Sequence, residues 1–240
     1  MENVSYIGLS QQLALSQQIE VTANNIANMS TPGYKTQGIL FLDYVTKPKD
    51  GQPINQSFDF ATYRDLSAGS QLPTGNPLDM AISGDGYFAI QTKDGVRYTR
   101  DGSFVLNAER QVVNAQGNAL LDDGGSPIVI PQEVTNVTVS SDGVVSGETG
   151  NIGRVSLVTF ANLQMMKKEG DNLYTSGGQA ETPVENRRVA QGLVEASNVN
   201  PVVEMNRMIE LMRLFQATQK MLDNDHDRIR GSIQKLTSVG

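Results

Sequence analysis

Asp79, Asp85, Asp94 and Asp101 lie within one short span of the chain, and two carboxylates at a suitable separation would serve as the acid and base of glycoside hydrolysis. The last three are each followed by glycine, however, so a turn role is sufficient for them. Asp122-Asp123-Gly124-Gly125 offers oxygen ligands for calcium but lacks the alternating ligands and closing glutamate of a loop site. There is no cysteine and one histidine, His226, which removes thiolate catalysis, zinc clusters and a serine triad with a histidine to spare. No phosphate-loop or dinucleotide glycine pattern occurs. These residues point to no catalytic centre, no bound metal and no cofactor.

Charge narrows the partners. With 26 acidic and 19 basic residues the net charge is −7, and Lys167-Lys168 and Arg187-Arg188 are isolated basic pairs, so a nucleic-acid surface is excluded. The first basic residue is Lys35, which leaves no basic region for a secretory signal. No apolar run approaches the roughly 18 residues of a membrane span. The expectation is a chain without a direct membrane span that leaves the cytoplasm, if it does, without a cleaved signal peptide.

Three regimes follow one another along the sequence. In the first, Leu9, Leu13, Leu15, Ile19, Ala23, Ile26 and Ala27 share one face of a helix. The opposite face carries Gln11, Gln17, Gln18, Asn24 and Asn25, with Glu20 as the only charge between Val4 and Tyr34. Side-chain amides can bond to a neighbour without the desolvation cost of an ion, so this face suits either solvent or another chain. Pro32-Gly33 ends the helical pattern just beyond Asn28, with Tyr34 and Lys35 as the first outward contacts of the turn.

The C-terminal regime is a second helix, capped by Asn200 before Pro201, with Glu204 in its first turn. From Pro201, steps of four and three run through Met205, Met208, Met212, Phe215, Gln219, Leu222, His226, Ile229, Ile233 and Leu236. This is a heptad seam with Gln219 and His226 as its polar members. At roughly 50 Å such a helix needs a partner, and the N-terminal helix is the one this chain supplies.

Between the helices, Asp-Gly recurs at Asp50, Asp85, Asp94, Asp101, Asp123 and Asp142, separating short strands over 80–83, 87–91, 96–99, 103–106, 128–130, 134–139, 144–145 and 154–160. The predicted fold class is α+β. Terminal helical arms at 1–35 and 198–240 pair as a coiled coil, 36–75 is an extended linker in which Ser57-Phe-Asp-Phe can make an edge strand, and 76–197 is an antiparallel, barrel-like all-β domain.

Four segments carry a family resemblance. Ala23-Asn-Asn-Ile-Ala-Asn-Met-Ser-Thr-Pro-Gly-Tyr-Lys, Pro77-Leu-Asp-Met-Ala-Ile-Ser-Gly-Asp-Gly-Tyr-Phe, Tyr98-Thr-Arg-Asp-Gly-Ser-Phe and Glu195-Ala-Ser-Asn-Val-Asn-Pro-Val-Val-Glu-Met resemble, in this order, hallmark segments of the bacterial flagellar rod and hook proteins. Within that family, the Tyr6-Ile-Gly-Leu-Ser-Gln-Gln opening and the Ile128-Val-Ile-Pro segment look most like a proximal rod subunit, with the distal rod subunit as the nearest rival. The resemblance implies a structural, non-enzymatic subunit of the basal-body rod in the periplasm. It implies export by the flagellar type III apparatus and axial assembly with other rod proteins and copies of itself. It also implies that the terminal helices line an inner tube while the β domain forms an outer layer.

The expected assembly surface takes Leu9, Leu13, Ile19, Asn24, Asn25, Ile26 and Asn28 from the first arm, Gly33 and Tyr34 from the turn, and Asn198 and Asn200 before the second arm. From the seam it takes Met205, Met208, Met212, Phe215, Leu222, His226, Ile229 and Ile233. The competing reading is a periplasmic carbohydrate-active enzyme, which would survive loss of the arms; a shaft subunit would not.

Overall fold

The computed structural model describes the backbone of residues 2–46 and 54–237, and the side chains of residues 7–40, 61–231 and 234. The chain divides into two units, one of Met1–Ala27, Gln37–Asp65 and Val199–Gly240, the other of Asn28–Thr36 and Leu66–Asn198.

The first unit contains two helices and a hairpin. Helix α1 spans Glu2–Ala27 and helix α2 spans Pro201–Thr237. Asn200 caps α2 by accepting from the Val203 amide at 3.3 Å, and Pro201 occupies the first helical position, where a missing N–H costs nothing. The helices pack antiparallel: the Gln12 amide donates to Gln219, Leu222 lies on Gly8, and Asn25 donates to Glu204 at 3.2 Å, so numbers fall along α2 as they rise along α1. A Cβ at Gly8 would lie 2.5 Å from Leu222 Cδ2, which is why the smallest residue sits there.

Burial along α2 selects a stripe different from half of the predicted seam. Glu204, Leu211, Thr218 and Asp225 are buried and Met208, Phe215, Leu222 and Ile229 are half-buried, again in steps of four and three. Met205, Met212 and His226, placed in the seam from sequence, are instead exposed, the two methionines at 45% and 48%. Gln219 is exposed too, and its amide oxygen accepts from Gln12 of α1. The cause is that the deciding residues are polar: apolar residues alone fit two stripes one residue apart, and the covered one is completed by Glu204, Thr218 and Asp225. On α1 the buried residues are Gly8, Ser10, Leu15, Val21, Thr22 and Asn25, of which Gly8, Leu15 and Thr22 are spaced by seven, while Leu9 and Leu13 are 52% and 61% exposed.

Strands β1 (Gln37–Thr46) and β2 (Ile54–Arg64) pair antiparallel from Gln37 opposite Arg64, with a register shift at Leu42/Asp43. They lie in the stretch read as an extended linker, and the expected edge strand at Ser57 falls within β2.

The described sheets of the second unit are antiparallel. Its main sheet runs in the order 167–168, 174–175, 95–99, 87–92, 119–120, 112–113, 105–106, with 157–159 also paired to 87–92. This path is open, so the expected barrel is not closed among the described residues. Smaller sheets join 138–139, 144–147 and 150–154, then 80–82 with 189–191, and 71–73 with 193–195. Met80, Phe88, Ile90, Phe104, Leu120 and Leu157 fill one core, with Phe88 and Phe104 edge to face at 5.4 Å. Tyr87, Tyr98, Phe160 and Tyr174 fill a second. Expected strands at 87–91 and 96–99 are present to within a residue, whereas 128–130 forms only an isolated bridge from Val129 to Gln111.

Candidate functional site

Two buried polar clusters, one in each unit, hold the segments that the sequence singles out. In the second unit, Glu195 is 2% exposed and accepts from two cations: Lys35 Nζ at 2.5 Å on Oε1 and Arg100 Nη1 at 3.3 Å on Oε2. The Gly69 amide adds a third donor at 3.0 Å, and Lys35 also donates to the Ser67 carbonyl at 2.7 Å. Arg100 reaches the Gly84 carbonyl at 2.6 Å and stands over the Tyr87 ring at 5.3 Å. Charges out of water are tolerated only when paired and hydrogen-bonded in this way.

Around this cluster the segments 33–36 and 195–198 lie side by side. The Gly33 amide donates to the Glu195 carbonyl at 2.7 Å, the Asn198 amide to the Tyr34 carbonyl at 3.4 Å, and Asn198 Oδ1 accepts from the Thr36 amide at 2.7 Å. Gly33 has φ +69° and a Cβ there would meet the Arg100 carbonyl carbon at 2.4 Å, so both backbone and space require glycine. Tyr34 and Lys35, expected as outward contacts, are buried at 1% and 3% exposure, because Lys35 carries the counter-charge for Glu195 and Lys168 lies 4.3 Å over the Tyr34 ring.

In the first unit, Asn25 is buried and uses both ends of its amide. Its Oδ1 accepts from the Gln37 N–H at 2.9 Å, and its Nδ2 donates to the Gln37 carbonyl at 2.8 Å and to Glu204 Oε2 at 3.2 Å. One side chain thus engages α1, the first residue of β1 and the first turn of α2. Asn24 is exposed and donates to the Glu20 carbonyl at 3.1 Å, one turn back. Asn28 accepts from Thr31 Oγ1 at 3.2 Å within the following turn. Ile19 and Ile26 are half-buried, Asn200 caps α2, and Ile233 lies outside the described side chains.

Of the four carboxylates with catalytic potential, Asp79 and Asp101 have structural partners. Asp79 accepts from Asn76 Nδ2 at 2.8 Å, and Asp101 Oδ1 accepts from the Ser103 amide at 3.0 Å. Burial pushes the Asp101 carboxyl above its usual range, the bonds from Ser103 draw it back, and the neighbouring charge of Asp79 raises it further. Burial likewise raises the Tyr98 phenol, whose hydroxyl donates to Glu181. Asp85 and Asp94 are exposed at turns. Asp122 accepts from the Gly124 and Ser126 amides at 2.9 and 2.8 Å, and Asp123 pairs with Arg187 at 2.8 Å. Among the described residues no cluster of three acidic or imidazole groups forms a metal set, and no helix is long and apolar enough to cross a membrane.

The Glu195 cluster went unrecognised in the sequence. Lys35 is separated from Glu195 by 160 positions, and the one local signal was a lysine standing alone after a segment almost free of charge.

Three family models match the chain: flagella basal body rod protein over 6–35, flagellar hook protein FlgE/F/G D1 domain over 81–147, and flagellar basal body rod FlgEFG protein C-terminal over 190–234. The chain is 38% identical to flagellar basal-body rod protein FlgF of Caulobacter vibrioides, with 100% of both chains covered. It is 35% identical to FlgF of Mesorhizobium japonicum, over 92% of each chain. It is 32% identical to flagellar basal-body rod protein FlgG of Bacillus subtilis, over 90% of this chain and 92% of that one. The matched end segments are the ones that place Lys35, Glu204 and the two helices, and the chain belongs to the flagellar basal-body rod proteins.

Proposed function

We propose that this chain, a structural subunit of the flagellar basal-body rod, assembles axially through α1 and α2, which pair as a coiled coil, and that it passes torque along the rod through them. The carrying observation is that the paired helices leave a second set of apolar residues uncovered. Ile7, Leu9 and Leu13 on α1, and Val202, Met205, Ile209 and Met212 on α2, are all exposed. On α2 these four recur at steps of three and four, the spacing of a further helix contact. A soluble monomer has no use for such a stripe, whereas a subunit repeated along a screw axis does.

The partners in this reading are other rod proteins and further copies of this chain, reached after export by the flagellar type III apparatus without a cleaved signal. Identity of 38% over the whole of one FlgF and of 35% over 92% of another, against 32% to an FlgG, favours the proximal over the distal position. The chain has no catalytic role in this reading, which is supported by the engagement of Asp79, Asp101 and Asp122 with their own turns.

The test is removal of residues 1–27, the part of the N-terminal segment that lies in the first unit. Cells carrying only the truncated chain are expected to lack rods and swimming while the chain remains soluble. Wild-type motility from it would refute assembly through the helices.

A further inference from the structure

Heptad spacing alone does not fix how far α1 and α2 are slid past one another. Three of the buried residues of α1, at 8, 15 and 22, and those of α2 at 204, 211, 218 and 225 repeat every seven, so a slip of one heptad brings related positions together. What differs between registers is the seat of Leu222, which lies on Gly8 in the observed one, and the polar matching. In the observed register Gln12 meets Gln219, and Asn25 meets Glu204 while closing two bonds onto the Gln37 backbone. Sliding α2 by seven would bring Leu211 opposite Asn25 and strand the Glu204 carboxylate, both being buried groups that lose free energy when unpaired.

We infer that Asn25 and Glu204 form a register lock, a specificity-determining pair that selects one axial alignment of the helix pair and ties it to the first residue of the hairpin. The lock rests on the reading of α1 and α2 as the assembly element. Its consequence is that every subunit presents its uncovered stripe at the same height, which a periodic shaft requires.

Disulfide trapping in the full-length chain tests the lock. Three reporters share Gln12→Cys, joined with Gln219→Cys for the observed register, or with Met212→Cys or His226→Cys for slips of one heptad either way. Gln12→Cys removes the Gln12–Gln219 contact from all three, leaving Asn25–Glu204 to hold the alignment. In the otherwise unaltered chain the 12–219 pair is expected to crosslink almost alone. Adding Asn25→Leu and Glu204→Leu, which keep burial but remove the polar match, is expected to raise the slipped pairs on the order of tenfold relative to 12–219. Glu204→Gln, which still accepts from Asn25, is expected to restore the single register. Helical circular dichroism is read on every variant, with equal helix content expected throughout.

Exclusive 12–219 crosslinking in the double-leucine chain would overturn the lock while leaving the helix pair intact. Slippage in Glu204→Gln would also overturn it as a hydrogen-bonded device. No 12–219 product in the unaltered background would overturn the pairing itself and the lock with it.

Discussion

Glu195 shows what a buried charge demands of its surroundings. Lys35, Arg100 and the Gly69 amide converge on its two oxygens, and removing the central charge leaves two cations facing each other with little water. Glu195→Gln is therefore expected to lower folding stability by about 3–5 kcal/mol, read as a lower denaturant midpoint at unchanged slope. An unchanged midpoint would mean that the cations find other partners. Asp101 has the opposite problem, since its environment disfavours the charge. Its folded carboxyl keeps a proton to higher pH than the unfolded one, so folding takes up a proton in the window just above the ordinary carboxylate range, and stability falls as pH rises through it. Asp101→Asn keeps an acceptor for the Ser103 amide and is expected to flatten that fall in a series of denaturant midpoints against pH. A slope equal to the parent's would assign the pH dependence elsewhere.

At the scale of elements, the difference between adjacent stripes of α2 can be measured. Leu211 is 5% exposed and Met212 is 48% exposed. Leu211→Ala is expected to cost about 2–5 kcal/mol of folding stability through the cavity it leaves. Met212→Asp is expected to change stability by less than about 0.5 kcal/mol, because the side chain faces water, yet to prevent rod formation in cells. Equal losses of stability from both would return Met212 to the intrachain seam. The helix, its Asn200 cap and its period of seven were legible in the sequence because each has a local cause. The phase of the stripe was not, since it depends on Glu204, Thr218 and Asp225, polar residues that an apolar count passes over. The pairing of β1 and β2 was obscured similarly: the Pro, Gly, Gln and Ser of residues 47–75 read as a linker, although β1, of 10 residues, pairs antiparallel with β2, of 11.

For the molecule as a whole, the chain passes from one unit to the other at Asn28, returns at Gln37, leaves again at Leu66 and returns at Val199. The chain lacking residues 1–27 should therefore keep the second unit, whose cores draw on residues from Met80 to Val189. Dispersed amide resonances from that unit, beside a loss of motility, are the expected combination; collapse of the dispersion would make α1 a requirement for folding. Pairings so distant in sequence were the least legible part of the structure, because no local pattern joins Lys35 to Glu195 or Thr36 to Asn198. Those pairings also set a mechanical property. The segments 33–36 and 195–198 run in the same direction and are bonded laterally through Gly33 to Glu195, Tyr34 to Asn198 and Thr36 to Asn198. Unequal tension on the two segments, from their Gln37 and Val199 ends, would slide one along the other and load those lateral bonds together in shear instead of peeling them one at a time.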